Sequence, residues 1–215
     1  MIRFVSQAIK NYQATGAIAP SSCFLAREMA DTIQGGLPRI MAAIHGTTTL
    51  RILEVGCGTG AFTKAILKTL LPGDEFHIVE MNETFCVDIE SNFLASFREN
   101  NPNVTIQLHN ELLQEANIDG EFDAIICGLP FNNFPVELVE ELFQMMLSLL
   151  KDGSELAYFE YLGMRTLKTV FGTPTLRKAT EERTADINAR MREFKGRNVN
   201  VWRNFPPSRV VRLRK

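Results

Sequence analysis

Apolar runs recur along the middle of the chain at Leu50–Val55, Glu75–Glu80, Val104–His109, Phe122–Cys127 and Glu155–Tyr161. Between them, at Ala61–Leu71, Glu83–Asn100 and Val136–Leu150, apolar residues return every three or four positions. The first pattern is that of short strands and the second that of amphipathic helices. Several of the runs lack polar alternation, as strands covered on both faces do. Such alternation predicts a doubly wound, mostly parallel α/β sheet with right-handed crossovers. After Tyr161 the alternation breaks. Gly163–Phe171 and Arg177–Phe194 read as helices, followed by two strand candidates, Asn198–Arg203 and Arg209–Arg214. These complete a seven-stranded sheet that closes in a hairpin, with a helical insertion before its last two strands.

Ahead of the first strand the period is helical. Met1, Phe4, Val5, Ala8, Ile9 and Tyr12 share one stripe, with Arg3, Ser6, Gln7, Lys10 and Asn11 opposite. A helix this short is marginal alone in water, so it must dock on the core or on a bilayer interface. A loop of small residues follows (Ala14 to Ser22). Ser22 is placed to cap a helix over Cys23–Ile33, Gly35-Gly36 stops it, and Pro38 opens a further helix to His45. The chain thus divides into N-terminal helices over residues 1–46, expected to lie as a lid on the domain that follows and to offer a helix for membrane contact, and an α/β domain over 47–215.

Composition adds bounds. With 215 residues and 45% hydrophobic content the chain can bury one sizeable core. No apolar run reaches the roughly 20 residues of a membrane span, and the first residues lack a secretory pattern. Cys23, Cys57, Cys86 and Cys127 show no CxxC spacing and read as reduced cytosolic thiols. His45, His77 and His109 stand isolated and are assigned packing or surface roles, so no metal site is expected. The net charge of −2 hides an asymmetry, because Gly163–Lys215 carries 14 Lys/Arg against 4 Asp/Glu. A basic region of this kind suits an anionic partner, lipid headgroups or nucleic acid.

The chemistry centres on Glu54-Val55-Gly56-Cys57-Gly58-Thr59-Gly60, where a strand passes through alternating glycines into a helix. Backbone amides at such a turn approach a ligand closely. A phosphate-binding P-loop would need a Lys-Ser/Thr that is absent here. A dinucleotide turn is formally met by Gly56, Gly58 and Ala61. The third reading is the Glu-x-Gly-x-Gly-x-Gly turn of S-adenosylmethionine (SAM) enzymes. Glu54 favours the third, since a carboxylate repels a pyrophosphate and attracts a methionyl ammonium. Glu80, 24 residues after Gly56, ends the second strand where one carboxylate can accept from both ribose hydroxyls.

On these residues, from Leu50 to Lys215, the chain resembles the class I SAM-dependent methyltransferases, whose Rossmann-like sheet matches the predicted one. The resemblance implies SAM as methyl donor, S-adenosylhomocysteine as product, and no metal. It implies cofactor contacts from Glu54, Gly56, Cys57, Gly58, Gly60, Glu80 and the adjoining Met81. Asn110 and Glu111 after the third strand, where many members have Asp, would meet adenine. Cys127 to Pro130 would line the transfer site.

The segment Gly128-Leu129-Pro130-Phe131 resembles the Asn-Leu-Pro-Phe/Tyr motif of adenine N6-methyltransferases, but Gly128 lacks the amide those enzymes use on a flipped base. Together with Thr15–Ser22 and Trp202-Arg203-Asn204-Phe205-Pro206-Pro207-Ser208-Arg209-Val210, it resembles the bacterial phospholipid N-methyltransferases. That resemblance implies methylation of phosphatidylethanolamine and its partly methylated forms toward phosphatidylcholine. It implies a cytoplasmic enzyme held peripherally on the inner face of the cell membrane, through an anionic surface. Tyr12, Phe131, Tyr158 and Tyr161 are then candidates for an aromatic wall around a methylated ammonium. Glu160, or the phenol of Tyr158 or Tyr161, is a candidate base. Period-2 alternation separates Tyr158 and Glu160 from Phe159 and Tyr161. Ser21 and Ser22 would bond the lipid phosphate or the cofactor carboxylate, or serve only as caps, and Arg203 and Arg209 would grip a phosphate. An adenine-modifying enzyme, a small-molecule methyltransferase and a non-catalytic SAM-binding protein are the alternative readings.

Overall fold

The computed structural model describes residues 21–131, 134–162, 194 and 196–215. The helices expected over Met1–Tyr12, Gly163–Phe171 and nearly all of Arg177–Phe194 lie outside those residues, as do Tyr12 and the loop before Ser21. Along the described chain run α1 (Cys23–Gln34), α2 (Leu37–Ile44), β1 (Arg51–Val55), α3 (Ala61–Ile66), β2 (Glu75–Val79) and α4 (Glu83–Ile89). A π-helical turn (Glu90–Leu94) leads into α5 (Ala95–Asn100), then β3 (Thr105–His109), β4 (Phe122–Cys127), α6 (Val136–Ser148), β5 (Leu150–Tyr161), β6 (Arg197–Val201) and β7 (Ser208–Arg214).

The strands form one seven-stranded sheet in the order β3-β2-β1-β4-β5-β7-β6. β1 to β5 pair in parallel, while β7 runs antiparallel between β5 and β6. This is the expected doubly wound, mostly parallel sheet with its closing hairpin. The strand order reverses between β1 and β4, and chains leaving their carboxyl ends part in opposite directions, which opens a crevice there.

Alternation along each strand divides the core into two layers. Ile52, Ile78, Ile126, Ala157 and Phe159 meet Leu25, Met29 and Ile33 of α1 and Phe62 of α3 on one face. Leu53, Val55, Ile125, Leu156 and Tyr158 meet Leu142, Phe143 and Met146 of α6 on the other. The two rows of β5 therefore separate Tyr158 from Phe159 and Tyr161, as the period required. Arg212 of β7 is buried beneath α1, where its guanidinium donates to Thr32 Oγ1 and Glu28 Oε1, both at 2.8 Å.

Three elements differ most from their expected extents. The helix after the glycine turn stops at Ile66 rather than Leu71, because the amides of Lys68 and Thr69 bond three residues back and the Thr69 hydroxyl caps Ile66 O at 2.7 Å. The helix expected to run unbroken over Glu83–Asn100 widens into the π turn at Glu90–Leu94. Around it, Ile89 and Phe93 both come within 2.9 Å of the point a Cβ on Gly60 would occupy, so the π turn and the glycine turn are packed face to face. Strand β5 begins at Leu150 rather than Glu155 because Leu150 pairs with Phe122 while Ala124 pairs with Glu155. Gly153, at φ 81°, sits in the intervening bulge.

Candidate active site at the carboxyl ends of β1, β2 and β4

The glycine turn leaves β1 with Gly56 at φ 75° and enters α3 through Gly60 at φ 81°, a backbone that L side chains rarely adopt. Gly56 and Gly128 bring the ends of β1 and β4 together. Gly128 N–H donates to Val55 O at 2.8 Å, and a Cβ on Gly128 would stand 2.3 Å from Gly56 O. The glycine in place of asparagine at 128 is thus demanded by the backbone, whatever the acceptor. Leu129 then lays its side chain over Gly56, with Cδ2 only 2.5 Å from where a Cβ would be. Above Gly58, by contrast, the space is open.

A cleft forms at this point. Its walls include Gly56, Gly58, Glu80, Met81, Glu111, Gly128, Leu129 and Pro130, so eight of the candidate residues converge from four separate stretches of sequence. Apolar residues that sequence reading passed over complete the lining, among them Phe85, Leu112, Leu113 and Phe134. Leu112 and Leu113 carry the only signal that was available, an apolar pair in a loop just after the strand-end Asn110-Glu111.

Beneath the turn lie two buried acids. Glu80 accepts from Gly58 N–H at 3.0 Å through Oε2 and from Asn82 N–H at 2.8 Å through Oε1. Burial raises its carboxyl above the ordinary range, against the pull of those amides. Glu54 has no solvent exposure and is pushed from 4.5 up to about 8, chiefly by burial, with a further push from Glu80. Thr63 Oγ1 donates to Glu54 Oε2 at 2.8 Å, while Oε1 has no hydrogen-bond partner among the described residues. Thr63 itself was missed in the sequence, being one of many hydroxyls in helical patterns. A buried carboxyl pair with an unused oxygen favours a cation and repels a pyrophosphate. The donor set therefore fits a ligand carrying an ammonium and a ribose diol, which SAM does.

The remaining candidates take other positions. Cys57 is buried with its thiol 3.9 Å from Glu80 Oε2 and its ionisation pushed far up by burial, and Cys127 is fully buried and pushed up to about 12. Asn110 donates from Nδ2 to Glu80 O at 3.0 Å, bracing the end of β2. Phe131 and Tyr158 are buried within 5.8 Å of each other, ring to ring, and both pack on Phe143. Glu160 and Tyr161 are buried near the end of β5. Glu160 stands opposite Arg209 in the β5–β7 register, and Arg209 Nε donates to Asn200 Oδ1 at 3.0 Å. Arg203 is exposed, its guanidinium 5.2 Å above the Phe24 ring.

Two histidines expected to stand apart are in fact neighbours. His77 Nδ1 and His109 Nε2 lie 3.1 Å apart on β2 and β3, with the rings stacked at 5.3 Å. Glu75 bonds the far nitrogen of His77 at 2.7 Å, and Glu111 lies 3.7 Å from His109. Strand pairing creates this row, and no spacing in the sequence announces it.

Ser22 caps α1 by accepting Leu25 N–H at 3.2 Å, and Ser21 is half-buried beside it. Ser22 N–H in turn donates to Asn204 Oδ1 at 2.9 Å. The amide of Asn204 reaches Pro206 O and Ser208 Oγ, both at 2.8 Å, which clamps the β6–β7 turn. Ser22, at the start of α1, and the turn between β6 and β7 are thus joined at the end of β5.

Residues 53–156 match the methyltransferase domain family. Over 147 residues the chain is 25% identical to an ornithine lipid N-methyltransferase of Singulisphaera acidiphila, covering 68% of this chain and 70% of that protein. It is 31% identical over 140 residues to a malonyl-[acyl-carrier protein] O-methyltransferase of Bacillus cereus, covering 64% of this chain and 46% of that one. The fold is similar to that of an O-methyltransferase from Bacillus cereus solved with SAH, at a TM-score of 0.60, 16% identity, and coverage of 98% and 90%. Residues 53–156 are thus similar to a methyltransferase domain, and the sheet around them has the fold of that SAH-bound O-methyltransferase.

Proposed function

We propose that the protein methylates the amine headgroup of a membrane lipid, phosphatidylethanolamine and its partly methylated forms, toward phosphatidylcholine. The observation that supports this reading is the bond from Ser22 to Asn204, which joins the last residue of one stretch resembling the phospholipid N-methyltransferases to the other, beside the end of β5. The similarity to a lipid N-methyltransferase supports it. Working at a bilayer, the protein would be cytoplasmic and held peripherally on the inner face of the cell membrane. Among the described residues no helix is long and apolar enough to cross one.

SAM, when bound, supplies a sulfonium methyl group. Glu54, buried beneath the turn, would favour its ammonium by charge, and Glu80 would take the ribose diol. Met81 and Glu111 would flank the adenine. The acceptor enters as an ammonium and must lose a proton before its nitrogen can attack, and Glu160 takes that proton. Phe131 and Tyr158, on the sheet face that Glu160 shares by alternation, offer ring faces to the methylated cation, while Tyr161 lies on the opposite face. Ser21, the hydroxyl of Ser22, Arg203 and Arg209 meet the headgroup phosphate.

The closed approach of Gly128 to Gly56 leaves no room for the asparagine amide that adenine N6-methyltransferases need, so RNA is the weaker candidate. The test is transfer of radiolabelled methyl from SAM to phosphatidylethanolamine vesicles, to a ribosomal RNA fragment and to a malonyl thioester. Label in the extracted lipid is expected. Label confined to the RNA or the thioester would overturn the proposal.

A further inference from the structure

The β6–β7 turn displays aromatic side chains where a soluble surface usually hides them. Trp202 is 70% exposed and Phe205 84%, and Phe24 at the start of α1 is 45% exposed beside them. The turn is fixed in place, because Asn204 between the two aromatics is buried and bonded to Ser22, Pro206 and Ser208. Arg203 lies over the Phe24 ring, and Arg27 is exposed one helical turn along α1. Of the two acids of the same helix, Glu28 is paired with Arg212 at 2.8 Å, and the exposed Asp31 lies 3.9 Å from the same guanidinium, so Arg203, Arg27 and Arg212 outnumber the acids here. The face is therefore apolar at its tip and cationic at its rim. Aromatic rings with flanking arginine are the composition of a membrane–water interface, where ring bodies enter the headgroup layer and cations meet lipid phosphates.

We infer that Trp202, Phe205 and Phe24 form an interfacial anchor that docks the carboxyl edge of the sheet on an anionic bilayer, with Arg203 and Arg27 on the phosphates. The inference rests on the lipid reading above for its choice of partner. It adds an anchor in the described fold that is independent of Met1–Tyr12. The β7 end of the turn pairs with the end of β5 through Ser208 and Tyr161, so docking would bring headgroups to the side where Glu160 sits.

Trp202 is the sole tryptophan in the chain, which makes its emission a direct reporter. With vesicles of phosphatidylcholine and phosphatidylglycerol, the full chain is expected to show a blue shift and quenching by brominated acyl chains. Phe205→Ser should weaken sedimentation with these vesicles roughly tenfold. It should leave SAM affinity and methylation of water-soluble glycerophosphoethanolamine unchanged. Arg203→Gln should weaken binding about fivefold on anionic vesicles and little on neutral ones. Vesicle binding with unaltered emission, or no binding, overturns the inference. A concentration-dependent shift without vesicles also overturns it, by showing a contact between copies of the chain. Docking without methylation of any amine lipid would defeat the acceptor reading and leave the anchor standing. Methylation of vesicle lipid with unaltered Trp202 emission would do the reverse.

Discussion

At the scale of single residues, the role proposed for Glu54 would couple cofactor binding to pH. Its folded-state carboxyl titrates near 8 instead of 4.5, so the folded chain keeps a proton that the unfolded chain releases. The contribution of this group to stability is present below about pH 4.5 and lost as pH rises toward 8. A bound ammonium favours the ionised form and reverses the effect. Titration calorimetry at pH 7 in buffers of different ionisation enthalpy should therefore show proton release on SAM binding. Glu54→Gln should abolish that release, weaken binding roughly ten- to hundredfold, and raise the melting temperature of the ligand-free protein at pH 8. Gly128→Asn tests the closure of the two strand ends: with a Cβ 2.3 Å from Gly56 O, it should cost about 1–3 kcal/mol in urea unfolding. The glycines and both acids were legible in the sequence, since a turn of this type constrains residue identity at each position. Thr63 and the His77–His109 row were not, because their roles come from a neighbouring helix and from strand register.

Among the elements, the join between α1 and the β6–β7 turn invites the clearest test. Asn204 is 4% exposed and makes three hydrogen bonds. Asn204→Ala strands Ser22 N–H and takes a donor from Ser208 Oγ and Pro206 O, which keep only the bond between them, and should cost about 1–3 kcal/mol, read by chemical denaturation. Its sharper signature is loss of methyl transfer with SAM affinity retained, because the cofactor cleft draws nothing from this join. The strands were readable from apolar runs because both sheet faces are covered. Helix ends were less so: nothing in the Glu83–Asn100 period disclosed the π turn that seats Phe93 against Gly60, and the bulge around Gly153 hid the first residues of β5. The pairing of Thr15–Ser22 character with the Trp202–Val210 stretch came from resemblance alone. The 182 residues between Ser22 and Asn204 carry no local pattern that would reveal their contact.

For the molecule as a whole, the basic excess after Gly163 is partly internal. Arg197 pairs with Glu155, Arg212 with Glu28 and Lys215 with Asp152, so these cations hold the sheet edge together. The side facing α1 keeps Arg203, and membrane attraction read from sequence totals alone is overstated by such pairs. Arg212→Ala would leave Glu28 without its buried partner and is expected to cost about 2–3 kcal/mol, with urea denaturation as the measurement.

That buried arginine also sets an order of assembly. Its partners Glu28 and Thr32 leave the ribosome first, and Arg212 follows some 180 residues later. A nascent chain can pair β1, β2, β3 and β4 and close the cofactor cleft while α1 still lacks its ionic seat. The cleft proposed for the methyl donor can therefore form cotranslationally, whereas the wall proposed to receive the acceptor is completed only once β7 has been made.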